Sequence, residues 1–115
     1  MAYSKKNIIF EIKKWVEINS ITQLTALNSI ILLNFLSDKH TKYIINYYPD
    51  SLGSLTFIWQ NKLDDHLTIT ILNNTIVYTS GRIMRCAYDS DKGIFDYEYI
   101  EKIVELLDKY IVREI

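Results

Sequence analysis

Between Ser54 and Ser80 apolar and polar residues alternate one by one, the mark of strands with a single face against a core. Leu55, Phe57 and Trp59 alternate with Ser54, Thr56 and Gln60, and Leu67, Ile69 and Ile71 alternate with His66, Thr68 and Thr70. Asn73-Asn74 then separates that second run from a third, and Asn tolerates the positive φ that a two-residue hairpin requires. The pattern predicts an antiparallel meander with one apolar face and places Trp59 in the core. Asn61 to Asp65 reads as its first loop and Ser80-Gly81 as a later turn. Tyr43 to Tyr48, rich in β-branched and aromatic residues, reads as a preceding strand, closed by a turn at Pro49-Asp50 and Gly53. Arg82 to Tyr88 has room for one more strand, with Met84 and Cys86 on one side, and Asp89 to Gly93 reads as a charged loop.

Helical spacing flanks the meander. Ser4 is placed to cap a helix to about Ile18, with Ile8, Ile12, Trp15 and Val16 on one face. Asn19-Ser20 interrupts it, and Ser20 with Gln23 reads as a capping box for a second helix. Leu24, Leu27, Ile31 and Phe35 form its stripe, which Ile30, Leu32, Leu33 and Leu36 widen almost all the way round. So broad an apolar surface predicts a helix buried between the sheet and another layer; whether there are two helices or one bent helix stays open. Asp38 to Lys42 is polar and ends the helical region. Asp96 is placed to cap a last helix, Tyr97 to Val112, with a stripe of Ile100, Ile103, Val104, Leu107, Tyr110 and Ile111 and with Glu98–Lys102 and Glu105–Lys109 pairs. The expected domain is single and α+β: helices over 1–40, an antiparallel sheet of about four strands over 43–88, and a C-terminal helix over 96–113.

Composition changes this picture little. Of the 115 residues 49% are hydrophobic and 23% charged, as in an ordinary globular chain, so disorder is not expected. The net charge of −1 hides an asymmetry: residues 1–40 carry five lysines against three acids, and residues 89–115 four basic groups against eight acids. Without a dominant basic face, direct nucleic-acid binding is not expected. Cys86 is the only cysteine, which rules out an intrachain disulfide and suits the reducing cytoplasm. Glu11, Lys13 and Lys14 interrupt the apolar run a secretory signal needs, and no run is long enough to span a bilayer.

Pro49-Asp50 with Gly53-Ser54-Leu55-Thr56-Phe57-Ile58-Trp59, and Gly93-Ile94-Phe95 ahead of an amphipathic helix, resembles a loose group of small bacterial and phage-borne proteins. Their shared pattern is Pro-x-Asp-Gly, a strand ending in Trp, a meander, then Gly-x-Phe and a terminal helix. The resemblance covers residues 47–112. It departs from the pattern where Ser51-Leu52 is inserted and where Tyr97 replaces a helix-opening Pro. It implies the α+β fold and carries over no site residue.

Few residues read as chemistry. Asp89-x-Asp91-x-Gly93 starts like a calcium loop, but Gly93, Ile94 and Ile100 stand where ligands and the turn glycine are needed. Asn73-Asn74-Thr75 matches a glycosylation sequon that a hairpin turn explains. His40, His66 and Cys86 are far apart in sequence, so no metal and no cofactor is expected. Asp64-Asp65-His66 supplies acid-base groups on a hairpin loop, and no phosphate loop, nucleophile elbow or zinc-protease motif is present. The anomaly is Tyr88 to Glu101, where Tyr88, Phe95, Tyr97 and Tyr99 interleave with Asp89, Asp91, Asp96, Glu98 and Glu101. Tyr gives contact area at low entropic cost, and acids around it favour a basic partner; the alternative is that the acids only complement a helix N-terminus. Asp89, Asp91, Asp96, Tyr97, Glu98 and Tyr99 are therefore the expected partner-binding residues of a non-catalytic inhibitor or neutralising protein. An immunity protein, an antitoxin or a phage anti-defence protein such as an anti-CRISPR fits. A secretion or folding chaperone, or a small-molecule-binding or enzymatic domain, are the alternatives. The apolar excess of Leu24 to Leu36 predicts a homodimer through the N-terminal helices.

Overall fold

The computed structural model describes residues 3–82 and 89–112. Its elements are α1 (Lys5–Glu17), α2 (Gln23–Phe35), the short α3 (Asp38–Thr41), β1 (Ile44–Pro49), a 3-10 turn (Ser51–Gly53), β2 (Leu55–Gln60), β3 (Asp65–Leu72), β4 (Thr75–Arg82), β5 (Asp89–Ile94) and α4 (Tyr97–Leu106), which ends in a π-helical turn (Leu107–Ile111). The strands form one antiparallel meander in the order β1-β2-β3-β4-β5. This is the expected α+β architecture with five strands. The additional one is the segment expected to be a charged loop: Asp89–Ile94 pairs with β4 from Thr75↔Ile94 to Ser80↔Asp89. It lacks apolar alternation because it is an edge strand, where charges deter pairing with another chain. The strand expected at Arg82 to Tyr88 falls mostly on residues 83–88, outside those described.

Alternation sorts the sheet into two faces. Tyr47, Phe57, Ile69 and Tyr78 form one cross-strand row and are all buried beneath the helices. The opposite face carries Thr56, Ile58, Thr68, Thr70, Val77 and Thr79, with the Thr56 and Thr70 hydroxyls 2.8 Å apart. Helix α1 lies over β1, where the Tyr47 hydroxyl donates to Glu11 Oε1 (2.8 Å) and the Trp15 ring meets the Tyr47 ring at 5.7 Å. Burial, and then the bond to Glu11, push the Tyr47 pKa up. Helix α4 lies at the other end of the sheet, its Tyr99 ring 6.4 Å from Tyr78.

The N-terminal region is two helices. Asn19 takes φ +61° while its N–H bonds to Val16 O and that of Ser20 to Trp15 O, a Schellman closure of α1. Ser4 caps α1, accepting from Asn7 N as expected. The cap of α2 is Thr22, whose hydroxyl accepts from Thr25 N, in place of the expected Ser20–Gln23 box. The larger correction concerns the rotation of α2. Its buried face carries Thr25, Ala26, Asn28, Ser29, Leu32 and Leu33, while of the apolar stripe, on a helix expected to be buried between the sheet and another layer, Leu24, Leu27 and Phe35 are exposed and Ile31 is half-buried. Hydrogen bonds explain it. Asn73 N–H donates to Thr25 Oγ1 (2.8 Å), Asn28 Nδ2 donates to Asn73 O (2.7 Å), and the Thr22 hydroxyl donates to Asn73 Oδ1 (2.6 Å). The β3–β4 turn, formed at Asn73-Asn74 as its sequence predicts, therefore fixes which side of α2 faces inward.

Asn61 does the same for the C-terminus. Its Oδ1 accepts from Leu63 N and Asp65 N, and its Nδ2 donates towards Tyr110 O (3.1 Å), Ile111 O (3.2 Å) and Asp65 Oδ2 (3.1 Å). The carbonyls that end the last helix thus find a donor in the β2–β3 loop, and that last turn is π-helical.

Trp59 lies fully buried between Phe57, at 5.8 Å between ring centroids, and α3, where its Nε1–H donates to His40 O (3.2 Å). Trp59→Ala should cost about 3–5 kcal/mol in a urea titration. Asn61→Ala should cost about 2–3 kcal/mol, because it strands the carbonyls that end the last helix. Unchanged denaturation midpoints would contradict both assignments.

Candidate functional site

The six residues singled out in the sequence are divided by the fold. Asp91 continues the row of Tyr47, Phe57, Ile69 and Tyr78 onto β5 and so belongs to the helix side of the sheet. There Lys102 of α4 meets it, Nζ to Oδ2 2.6 Å, with the ammonium also 5.2 Å and 5.4 Å from the Tyr78 and Tyr99 ring centres. The Lys102 hydrogen bond holds the Asp91 carboxyl below its ordinary range, and the same bond raises Lys102. Burial, and then the charge of Asp91, push the Tyr99 hydroxyl up to about 12. The Tyr99 ring fills the space beside Gly93, where a Cβ would fall 2.4 Å from Cε2. Asp91 and Tyr99 are thus a seam between β5 and α4, and Lys102 pairs with Asp91 where the sequence suggested Glu98.

Asp96 is the N-cap of α4, its Oδ1 accepting from Tyr99 N at 2.8 Å. Tyr97 is 61% exposed and stands edge-on against Phe35 of α2, 5.1 Å between centroids. Glu98 beside it is exposed. Asp89 pairs through its backbone with Ser80; its side chain, like the whole of Tyr88, lies outside the described residues. Asp91 and Asp96 are exposed too but engaged by Lys102 and the α4 backbone, which leaves Tyr97 as an aromatic anchor with Glu98 and, one turn on, Glu101. The sequence reading expected the apolar excess of Leu24 to Leu36 at a homodimer contact but did not join it to Tyr97, because no local pattern shows that Phe35 packs on Tyr97.

Helix α1 presents the opposite chemistry. Lys5, Lys6, Asn7, Ile9, Phe10 and Lys13 line a concavity of about 680 Å³. Phe10 is exposed beneath Lys14, whose ammonium lies 4.6 Å from the ring centre, and Lys5 is tied to Leu36 O.

One cluster has the composition of a hydrolytic triad. His40 Nε2 lies 2.8 Å from Asp108 Oδ1, and His40 Nδ1 lies 3.1 Å from Ser37 Oγ. Yet Nδ1 also accepts the Ser37 backbone N–H (3.2 Å), so the lone pair a general base would use is taken by the cap of α3. The histidine replaces the usual Glu or Gln of a capping box and joins α3 to the last helix. The sequence reading placed no helix here, because four residues give no periodicity. Asp65 and His66 are likewise separated. Asp65 is buried on the helix side with Asn61, and His66 belongs to the opposite face. Among the described residues no group of three or more His, Cys, Asp or Glu side chains is placed to hold a metal, and no helix is long and apolar enough to cross a membrane.

Comparison with protein-family models, with curated proteins and with solved structures returned no match. The reading of this chain rests on its own geometry.

Asp108 gives a measurable signature. Partial burial opposes its ionisation, but the hydrogen bond to His40 and the charge of Lys39, 3.4 Å away, outweigh it and lower its pKa. A carboxyl with a lower pKa folded than unfolded adds stability above the unfolded value and loses it as pH falls through the folded one. Asp108→Asn should therefore be less stable than the parent at neutral pH. The gap should close as pH falls below the ordinary carboxylate value of about 4 and through the lower folded value, read as urea midpoints of both chains. A gap independent of pH would remove the ionic contribution of the pair.

Proposed function

We propose that this chain is a non-catalytic protein-binding module that acts as an inhibitor or neutralising partner, in the manner of an immunity protein, an antitoxin or a phage anti-defence protein. The observation that carries the reading is Tyr97: a large side chain held exposed, braced edge-on by Phe35, with Glu98 and Glu101 beside it. An aromatic braced in this way loses little entropy on binding, and acids around it speed encounter with a cationic surface. The partner is a protein with a basic surface, including one whose basic channel holds nucleic acid. A lone cysteine suited to the reducing cytoplasm supports the same reading. It includes a homodimer through the N-terminal helices.

The test is capture of the partner from the native host, followed by affinity measurement at two salt concentrations. Tyr97→Ala should weaken binding by about 2 kcal/mol or more. Glu98→Lys with Glu101→Lys should slow association and flatten its salt dependence. Asp96 and Asp91 are unsuited to this test, since one caps a helix and the other holds Lys102. Affinity and salt response unchanged in both variants would clear this edge of a binding role.

A further inference from the structure

We draw no further inference here: the strongest candidate, the concavity of about 680 Å³ that Lys5, Lys6, Phe10 and Lys13 line along α1, lies on a helix whose exposed Glu11 and Glu17 offset those lysines, and nothing in the structure shows what covers it.

Discussion

The hydrogen bonds between α2 and the Asn73-Asn74 turn decide what this molecule shows to its surroundings. A helix with apolar residues on nearly every side has no single rotation that burial alone would select. Thr25 and Asn28 select one, because each is buried and must find a partner. They find them in the backbone of Asn73, a residue held at φ +53° by the hairpin, whose N–H and C=O both point at the helix. Burying that polar side leaves Leu24, Leu27 and Phe35 outside.

The same logic holds at the other joints. Asn61 connects the β2–β3 loop to the carbonyls that finish the last helix, and His40 connects the short α3 to Asp108 while its carbonyl accepts from Trp59. α2, α3 and the last helix are thus each located by one or two buried polar side chains, over a core whose area gives the stability but not the orientation. Hydrophobic burial is non-directional, whereas a hydrogen bond fails within a few tenths of an ångström or a few tens of degrees.

The acidic-aromatic segment separates by the same principle. Asp96 meets the orphan N–H groups of α4, and Asp91 neutralises Lys102 above two tyrosine rings, so neither charge is free to draw a partner. Tyr97 and Glu98 project from the same helix start without such duties. Alternation of acids and aromatics over a dozen residues looks uniform as a string. It divides once half of it becomes an edge strand and half a helix.

The sequence by itself determined the elements that depend on near neighbours. Period-two alternation predicted β2 and β3, Asn73-Asn74 the hairpin from β3 to β4, Asp96 the start of α4, Ser4 the start of α1, and Trp59 the centre of the core. Each rests on a local rule of sterics or hydrogen bonding that acts within a few residues of the chain. Tertiary structure decided the rest: that Asp89–Ile94 is a strand, since its pairing is supplied by β4; that Asp38–Thr41 is helical, since the capping box that His40 completes with Ser37 is held by Asp108 from 68 positions away; and that the apolar stripe of α2 faces outward. Hydrophobicity records how much surface a residue gains by leaving water, and it is silent on which of two apolar faces is turned inward. That choice was made by Thr25 and Asn28, through partners 45 to 48 residues distant, where no local pattern could register it.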